Sequence, residues 1–304
     1  MTIYVEKSKI SNRKLWMAAI KPPMYTVAVI PISVGTAVAF AETNLFHPEI
    51  FFTFLGAAIL IIAWLNLSND VFDSETGIDV NKAESVVNLT GNKSLVFRIS
   101  NLLLGLSILG IISIAVRQQD WTILGLIMLC CFLGYTYQGP PFRLGYLGLG
   151  EIICFIAFGP LAIAAAYYSQ AQTFSLTSLA ASIIIGIGTS IILFCSHFHQ
   201  VEDDLAAGKR SPIVRMGTAM GVGVLAWSTA SIFGLTALFF VLDIFPIWTL
   251  LIFASLPIAY QLVKFVQQNH DKPQSVRTCK FIAVNFHFLS GILLTLGFVL
   301  PKFL

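Results

Sequence analysis

The sequence predicts an all-α, polytopic membrane protein with nine transmembrane helices around a central cavity. Of its 304 residues, 57% are hydrophobic and only 11% are charged, against about 25% charged residues in an average soluble domain. The apolar residues also form blocks of about 17 to 23 residues, which is the length that a membrane-spanning helix needs. These two observations exclude a water-soluble monomer.

Nine apolar blocks follow one another along the chain, and short polar segments separate them. At about 20 residues each, nine spans leave little room for a separate domain, so residues 1–304 are predicted to form one transmembrane domain. Residues 1–21 are a polar, basic leader. The alternative interpretation is a secretory signal, but a polar leader of this length is unusual for one. The predicted spans cover residues 24–40, 51–67, 95–116, 121–137, 147–168, 176–198, 220–242, 245–266 and 281–300.

Positive charges are distributed unequally between the two predicted sides of the membrane. With the N-terminus in the cytoplasm, all basic residues except Arg117 and Lys302 fall on the cytoplasmic side, as the positive-inside rule requires. One miscounted span would reverse every later loop, so the distribution also supports nine helices. The net charge of +3 is small and forms no basic stripe, so no nucleic-acid partner is expected.

Acidic residues are concentrated in two segments, which follow the second and the sixth predicted span. The first is NLSNDVFDSETGID, residues 66–79, and the second is HFHQVEDDLAAGKRSP, residues 197–212. A carboxylate inside a membrane is costly, so such residues normally lie at a helix end or in a water-filled cavity.

The two segments share one spacing of polar residues. In each, an aspartate lies four residues before a glycine that could end the helix in the left-handed conformation. Polar residues also precede each aspartate by four and by seven residues, and this spacing places them on one helix face. The repeat predicts two similar helix ends around a shared cavity. The matched positions are Asn66 with His197, Asn69 with Gln200, Asp73 with Asp204, and Gly77 with Gly208.

Two acidic helix ends that face each other suggest a magnesium site. Mg²⁺ prefers oxygen ligands and binds through one or two carboxylates together with substrate phosphates. Two ions could therefore hold a diphosphate between the segments, with basic loop residues neutralising it. The alternative is that the polar residues only join helices and the acids are solvated. The basic candidates are Lys82, Lys93, Arg143, Lys209 and Arg210.

At these residues the sequence resembles the UbiA superfamily of intramembrane prenyltransferases. Its members carry NDxxDxxxD after the second helix and DxxxD after the sixth. Asn69, Asp70 and Asp73 match the first motif, and Asp79 takes its last acidic position in the longer form NDxxDxxxxGxD. This longer form is similar to that of the branch that prenylates naphthoates. The resemblance covers nearly the whole chain.

The second motif departs from the pattern at one position. Asp204 matches its final aspartate, but Gln200 stands where the first aspartate is usual. An amide offers an oxygen without a charge. Asp203 lies within about 60° of Gln200 around a helix and Glu202 about 160° away, so Asp203 is the better compensating acid. The segment as a whole is similar to the phylloquinone-type enzymes of oxygenic phototrophs.

A third matching segment, YTYQGPPFRLGYLGLGE at residues 135–151, joins the fourth and fifth predicted spans. The resemblance implies that this loop lines the active site. It places Tyr135 or Tyr137 near an aromatic acceptor, together with Asn66 and His197, and Arg143 near the diphosphate.

The resemblance implies a Mg²⁺-dependent transferase that moves an isoprenoid chain, phytyl in the first instance, from its diphosphate to 1,4-dihydroxy-2-naphthoate with loss of CO₂. The protein would lie in a bacterial inner membrane or a thylakoid membrane. Alternatives are a homogentisate or chlorophyllide prenyltransferase and, outside enzymes, a secondary transporter, whose polar residues would lie nearer the membrane midplane. The implied catalytic residues are Asn69, Asp73, Gln200 and Asp204, and the implied metal ligands are Asn69, Asp70, Asp73, Asp79, Asp203 and Asp204.

Overall fold

The computed structural model describes residues 12–78 and 85–304, and within these ranges every regular element is a helix. The all-α prediction is therefore confirmed. The α-helices are α1 (Asn12–Ile20), α2 (Thr26–Thr43), α3 (Pro48–Thr76), α4 (Val86–Thr90), α5 (Lys93–Gln118), α6 (Thr122–Gln138), α7 (Gly150–Ile156), α8 (Ala162–Ala171), α9 (Leu176–His197), α10 (Val201–Ala206), α11 (Pro212–Met216), α12 (Thr218–Val241), α13 (Leu256–Asn269), α14 (Pro273–Val276) and α15 (Cys279–Val299).

Eight helical stretches in the described ranges are long and apolar enough to cross a membrane, which makes the protein a multi-pass membrane protein. Eight of the nine predicted spans each correspond to one of these stretches. The remaining predicted span, 121–137, coincides with α6, a shorter apolar helix of 17 residues. The eight stretches are Leu15–Thr43, Pro48–Thr76, Lys93–Gln118, Gly150–Ala171, Leu176–His197, Thr218–Val241, Ile247–Asn269 and Pro273–Lys302.

Helix α9 is the most enclosed of the eight stretches. In an apolar 18-residue stretch of α9, 72% is buried inside the protein, whereas the corresponding share is 28% in α3 and in α5. Large apolar side chains on the outer helices are exposed instead, for example Trp227 at 80% and Val241 at 73%. An apolar surface of this kind is stable against lipid hydrocarbon. The core is thus built around α9, and the outer helices present their apolar faces to the bilayer.

The stretch Gly150–Ala171 contains a local change of helix type. Residues Ala157–Leu161 form a π-helical turn between α7 and α8, and this turn includes Pro160. Proline cannot donate the usual backbone hydrogen bond and pushes away the preceding turn, and π-turns within helices often accommodate such an interruption. The span continues through Pro160 without ending.

The end of the bundle that carries Glu42 and Asp120 is held together by hydrogen bonds between helices. Tyr167 donates to Glu42 at 2.6 Å and Tyr168 donates to Asp120 at 2.5 Å. The hydroxyl of Ser175 also donates to Glu42, at 2.8 Å. These acids, which lie outside the two acidic segments, therefore have a structural role: Glu42 joins α2 to α8 and to the start of α9, and Asp120 joins the turn between α5 and α6 to α8.

The opposite end, which we call the acidic end, carries both acidic segments, and these differ in structure. Helix α3 runs unbroken through Asn69 and Asp73 and ends at Gly77, whose φ of 77° is left-handed as predicted. Helix α9 ends at His197, and Gln200 caps the new helix α10. The prediction that the second set lies on one continuous helix was wrong. The break lets Asp204 fold back within 3.2 Å of His197, and Gly208 then follows α10 with a left-handed φ of 71°.

Candidate active site

A cavity of about 230 Å³ extends into the bundle from the acidic end. Its walls are almost entirely apolar and come from α2, α3, α6, α7 and α9, together with the π-turn and the first residues of α8 and α15. Most polar side chains that line it belong to residues at the acidic end of these helices. These residues are Asn66, Asn69, Tyr137, Ser196 and Lys280.

Asp73 is the central acid of the first segment. Its side chain is buried, with 9% of the residue exposed, and its Oδ1 accepts a hydrogen bond from Nε2 of Gln138 at 2.9 Å. The cap of α3 lies beside it, because the N–H of Gly77 donates to the carbonyl of Asp73. A carboxylate buried at a helix end with an amide partner is held in one orientation.

Asp204 is the corresponding acid of the second segment, and it is 1% exposed. Its carboxylate lies 3.2 Å from Nδ1 of His197 and 3.3 Å from Nζ of Lys209. Burial alone would raise the pKa of Asp204, but the hydrogen bond from His197 and the charge of Lys209 outweigh it and hold this pKa below its ordinary value. Asp204 is therefore a carboxylate at neutral pH.

His197 links Asp204 to a third acid. Its Nε2 lies 3.4 Å from Oε1 of Glu151, at the start of α7. The imidazole thus lies between two carboxylates and is itself only 2% exposed. It braces the acidic end of α9 without lining the cavity.

The loop between α6 and α7, residues 139–149, connects the two acidic segments. On the first side, the hydroxyls of Thr76 and Tyr146 are 2.5 Å apart. On the second side, the N–H of Arg210 donates to the carbonyl of Tyr146 at 2.8 Å. Arg215 also donates from Nη2 to the carbonyl of Leu147, at 2.6 Å.

Tyr137, at the end of α6, lines the cavity. The next residue, Gln138, donates to Asp73, and the carbonyl of Tyr137 accepts from the N–H of Gly145 in the connecting loop at 2.8 Å. The end of α6 therefore joins the cavity wall to the first acidic segment and to the loop.

Two of the predicted phosphate-binding cations converge on one acid. Lys93 donates to Glu75 at 2.7 Å, and Arg143 lies 3.5 Å from the other oxygen of Glu75. Lys209 is bound to Asp204 as described above. Arg210 is exposed, and its backbone makes the contacts of the loop.

The structure separates the predicted acceptor residues into two groups. Asn66 and Tyr137 line the cavity. Tyr135 does not: it donates to the carbonyl of Pro140 at 2.7 Å and packs edge-on against Phe72. Residues two positions apart on a helix point about 200° apart, to nearly opposite sides. Only one of the two tyrosines can therefore face the cavity, and that residue is Tyr137.

The predicted metal ligands also occupy different environments. Asn69 lines the cavity, whereas Asp70 accepts from the N–H of Val86 at 2.8 Å and lies 3.4 Å from Lys21. Asp70 therefore anchors the turn before α4. Asp203 is exposed on α10, as is Glu202. Asp79 and Lys82 lie outside the described residues.

Three residues near the site were missed by sequence reasoning: Gln138, Tyr146 and Lys280. Gln138 and Tyr146 carry no sequence signal apart from their place in the segment 135–151. For Lys280 the sequence does offer a signal. It occupies the second position of α15, where the helix dipole disfavours a cation.

The residues present fit a divalent ion that also binds a substrate. The acids are hard oxygen donors of the kind that Mg²⁺ selects. Oδ1 of Asp204 is buried and makes no hydrogen bond, although the ammonium group of Lys209 lies 3.3 Å away. Among the described residues, no three acidic, histidine or cysteine side chains form a group that could hold a metal ion by themselves. Asp73 and Asp204 can each supply one or two ligands, which leaves the others to substrate phosphates and water.

Comparison with known proteins places the chain in a family. The model of the UbiA prenyltransferase family matches residues 28–289. The chain is 64% identical to the 2-carboxy-1,4-naphthoquinone phytyltransferase of Synechocystis sp. over 95% of this chain and 94% of that protein. It is 41% identical to the chloroplastic protein of the same name from Arabidopsis thaliana, over 98% of this chain and 80% of that one.

Solved structures agree with this similarity at the level of the fold. A UbiA homolog from Archaeoglobus fulgidus bound to GPP and Mg²⁺ superimposes with a TM-score of 0.58 at 14% identity, over 92% of this chain and 99% of that one. The digeranylgeranylglyceryl phosphate synthase superimposes with a TM-score of 0.62. The family match spans most of the sequence and the two phytyltransferases align over nearly all of it, so the chain belongs to the UbiA prenyltransferase family.

Proposed function

We propose that this protein transfers a phytyl chain from phytyl diphosphate to 1,4-dihydroxy-2-naphthoate. The observation that carries the proposal is the pair of acidic segments joined by one loop at the mouth of an apolar cavity. The names of the two phytyltransferase relatives support the donor and the ring of the acceptor. The homolog bound to GPP and Mg²⁺ supports an isoprenoid diphosphate and a divalent ion.

In this proposal the diphosphate binds between the two segments. Asp73, Asp204, Asn69 and Gln200 provide oxygen ligands on the two sides, and Asp79 and Asp203 remain further candidate ligands. Mg²⁺, when bound there, would neutralise the negative charge that develops on the departing diphosphate. The cations at the acidic end, Lys93, Arg143, Lys209 and Arg210, add to this stabilisation. Lys82 remains a further candidate from the sequence.

The hydrocarbon chain of the donor lies in the apolar cavity. Departure of the diphosphate leaves an allylic cation, and the almost entirely apolar walls of the cavity hold few waters that could capture it. An electron-rich ring next to Tyr137 and Asn66 captures the cation instead. A quinone ring is electron-poor, so we infer that the reduced, dihydroxy form of the acceptor reacts, and that its carboxylate leaves as CO₂.

The membrane arrangement belongs to the same proposal. With α6 counted as a shorter span, the chain crosses the membrane nine times as one domain, and the leader and the acidic end lie in the cytoplasm. The similarity to a cyanobacterial and a chloroplast protein favours a thylakoid or bacterial inner membrane.

Acceptor choice tests the function directly. Purified protein in detergent, given phytyl diphosphate and Mg²⁺, is expected to prenylate 1,4-dihydroxy-2-naphthoate and release an equal amount of CO₂. Homogentisate, chlorophyllide and the oxidised naphthoquinone serve as alternative acceptors, and products are measured by mass spectrometry. Turnover of homogentisate or chlorophyllide without turnover of the naphthoate would reject the assignment.

The unusual glutamine of the second motif gives a separate prediction. Gln200 is the N-cap of α10, a position that aspartate occupies well. We expect Gln200→Asp to keep turnover within about threefold of the wild type, because the new carboxylate can replace the amide oxygen as a ligand. Gln200→Leu, which removes the oxygen, should lose most activity. An inactive Gln200→Asp protein would show that a charge here is harmful.

A further inference from the structure

Glu151, the second residue of α7, is an acid near the site that the proposed mechanism does not use. Its side chain is 17% exposed, and both carboxylate oxygens are buried and make no hydrogen bond within the described ranges. The imidazole of His197 faces it, with Nε2 3.4 Å from Oε1. Burial of a carboxylate without a partner is costly, so the contact with His197 decides how this side chain is held.

The start of α7 is fixed against α9, which keeps Glu151 beside His197. The hydroxyl of Ser190 donates to the backbone carbonyl of Glu151 at 2.8 Å. A Cβ atom on the preceding residue, Gly150, would lie 2.8 Å from the ring of Tyr137 and 3.0 Å from the side chain of Leu193. The backbone therefore packs closely against both α6 and α9 here, and Glu151 has little freedom to move away from the last turn of α9.

The same contact extends to Asp204 through His197. His197 is the last residue of α9 and is 2% exposed, and its Nδ1 lies 3.2 Å from Oδ2 of Asp204. Lys209 is near the other oxygen, but that oxygen makes no hydrogen bond. Asp204 lies on α10, beyond the break after α9, so no continuous helix fixes its place. The hydrogen bond from His197 orients its carboxylate instead.

One proton lies between His197 and Glu151 in this arrangement. A neutral imidazole has one N–H and one nitrogen with a lone pair. With the N–H directed at Asp204, a bare Nε2 would face the lone pairs of Glu151, and two acceptors repel each other. A proton on either partner turns the contact into an attraction. A carboxyl partner on the second ring nitrogen fixes the orientation of a histidine ring.

We propose that Glu151 is a positioning residue: it anchors the imidazole of His197 and thereby holds the carboxylate of Asp204 in the orientation that binds the divalent ion. This inference rests on the proposed function and deepens it. Glu151 is not among the described residues that line the cavity, so its effect on the ion passes through His197.

Two substitutions separate the reach of this side chain from its charge. Glu151→Gln keeps the length and loses the charge, and its amide can donate to Nε2 of a neutral His197. Glu151→Asp keeps the charge but is one methylene shorter, so it withdraws from the ring. The measurement is calorimetric binding of phytyl thiodiphosphate, a slowly reacting analogue of the donor, with and without Mg²⁺.

We expect Glu151→Gln to keep the Mg²⁺-dependent affinity within about threefold of the wild type. Glu151→Asp should weaken it by about 10- to 100-fold, as is usual when a group that supports a metal site from outside is lost. Without Mg²⁺ the three proteins should bind the analogue equally. A loss in Glu151→Gln as large as that in Glu151→Asp would show that the charge matters and not the reach, and would overturn the positioning role.

A second comparison shows whether the effect passes through His197. Groups that act through one contact have strongly non-additive effects. Glu151→Asp, His197→Gln and the double variant should therefore all be weakened by about the same factor. Losses that multiply in the double variant would mean that Glu151 acts on the fold and not on the ring, and would contradict the inference.

Glu49→Gln is the matched control, because Glu49 is an exposed glutamate that pairs with Arg117 at the other end of the bundle. It removes the same charge and should leave the affinity unchanged. Size-exclusion profiles and thermal unfolding in detergent report whether each variant is folded.

Binding separates this inference from the proposed function. If the wild type binds the analogue with Mg²⁺ but does not prenylate the naphthoate, the proposed function fails, and the order of Glu151→Gln and Glu151→Asp still decides the role of Glu151. A wild type that transfers phytyl but tolerates Glu151→Asp would overturn the role of Glu151 alone. A wild type without Mg²⁺-dependent binding would overturn both.

Discussion

Replacement of Asp73 or Asp204 by asparagine is expected to reduce turnover by at least about 10²- to 10³-fold, the usual effect of removing one group that stabilises developing charge. Each change removes a negative charge and nearly preserves the shape of the side chain. Asp73 keeps its contact with Gln138 through the amide oxygen. Asp204 keeps a hydrogen-bond acceptor for His197 but loses its attraction to Lys209.

The measurement is Mg²⁺-dependent formation of prenylated naphthoate by each purified variant, with its size-exclusion profile in detergent as a check of folding. Asp243→Asn is the matched control, because Asp243 is exposed on the far side of the bundle and has a φ of 56°, which asparagine also tolerates. Normal rates in Asp73→Asn and Asp204→Asn would remove both acids from the mechanism.

Gly148→Ala is expected to lower turnover by at least about tenfold while the protein remains folded. Gly148 lies in the loop that connects the two acidic segments and has a φ of 75°. A Cβ atom there would overlap the carbonyl oxygen of Arg210, at a separation that real Cβ atoms do not adopt. The left-handed backbone adds about 1 to 2 kcal/mol for a non-glycine residue. The loop must therefore move away from Arg210, and the acidic segments lose their alignment.

Gly91→Ala separates the two causes. Gly91 has a similar φ of 62°, but a Cβ atom there would meet no atom within 4 Å. The Gly91→Ala variant has the same unfavourable backbone conformation but no clash, so its turnover should stay near that of the wild type. Equal losses in Gly148→Ala and Gly91→Ala, or no loss in either, would show that the contact between the loop and Arg210 is unimportant.

The fold could be predicted almost completely from the sequence, because a membrane requires long apolar helices and their lengths are visible directly. All nine apolar blocks became helices. The exception in length is α6, and the segment 139–149 that follows it is folded as a loop across the acidic end instead of extending the helix. Hydropathy alone does not show where such a loop begins.

The site could be predicted in part. The spacing of polar residues alone predicted that Asn66 and Asn69 share one helix face, and both line the cavity. It also predicted the left-handed backbone conformation of Gly77 and Gly208. It did not show the helix break after His197. There the imidazole contacts Glu151, which is distant in sequence, and Asp204, which folds back from beyond the break. Nor could it separate Asp70 from Asp73, because the partners of Asp70 come from α4 and from Lys21.

Lys280 shows the same limitation for a single residue. In the sequence it is one of many basic residues at a helix end. Its place in the cavity lining depends on which side of α15 faces the cavity, and this follows from packing against α9, not from the pattern of apolar residues.

The most direct test of a shared site is the binding of a phytyl thiodiphosphate, a slowly reacting donor analogue, to the wild type, to Asp73→Asn, to Asp204→Asn and to the double variant, with and without Mg²⁺. Residues that hold one ligand together show strongly non-additive effects. We predict that each single variant loses Mg²⁺-dependent binding and that the double variant binds no more than about threefold more weakly than the weaker single variant. Losses that multiply in the double variant would mean that Asp73 and Asp204 act independently and would contradict the shared site.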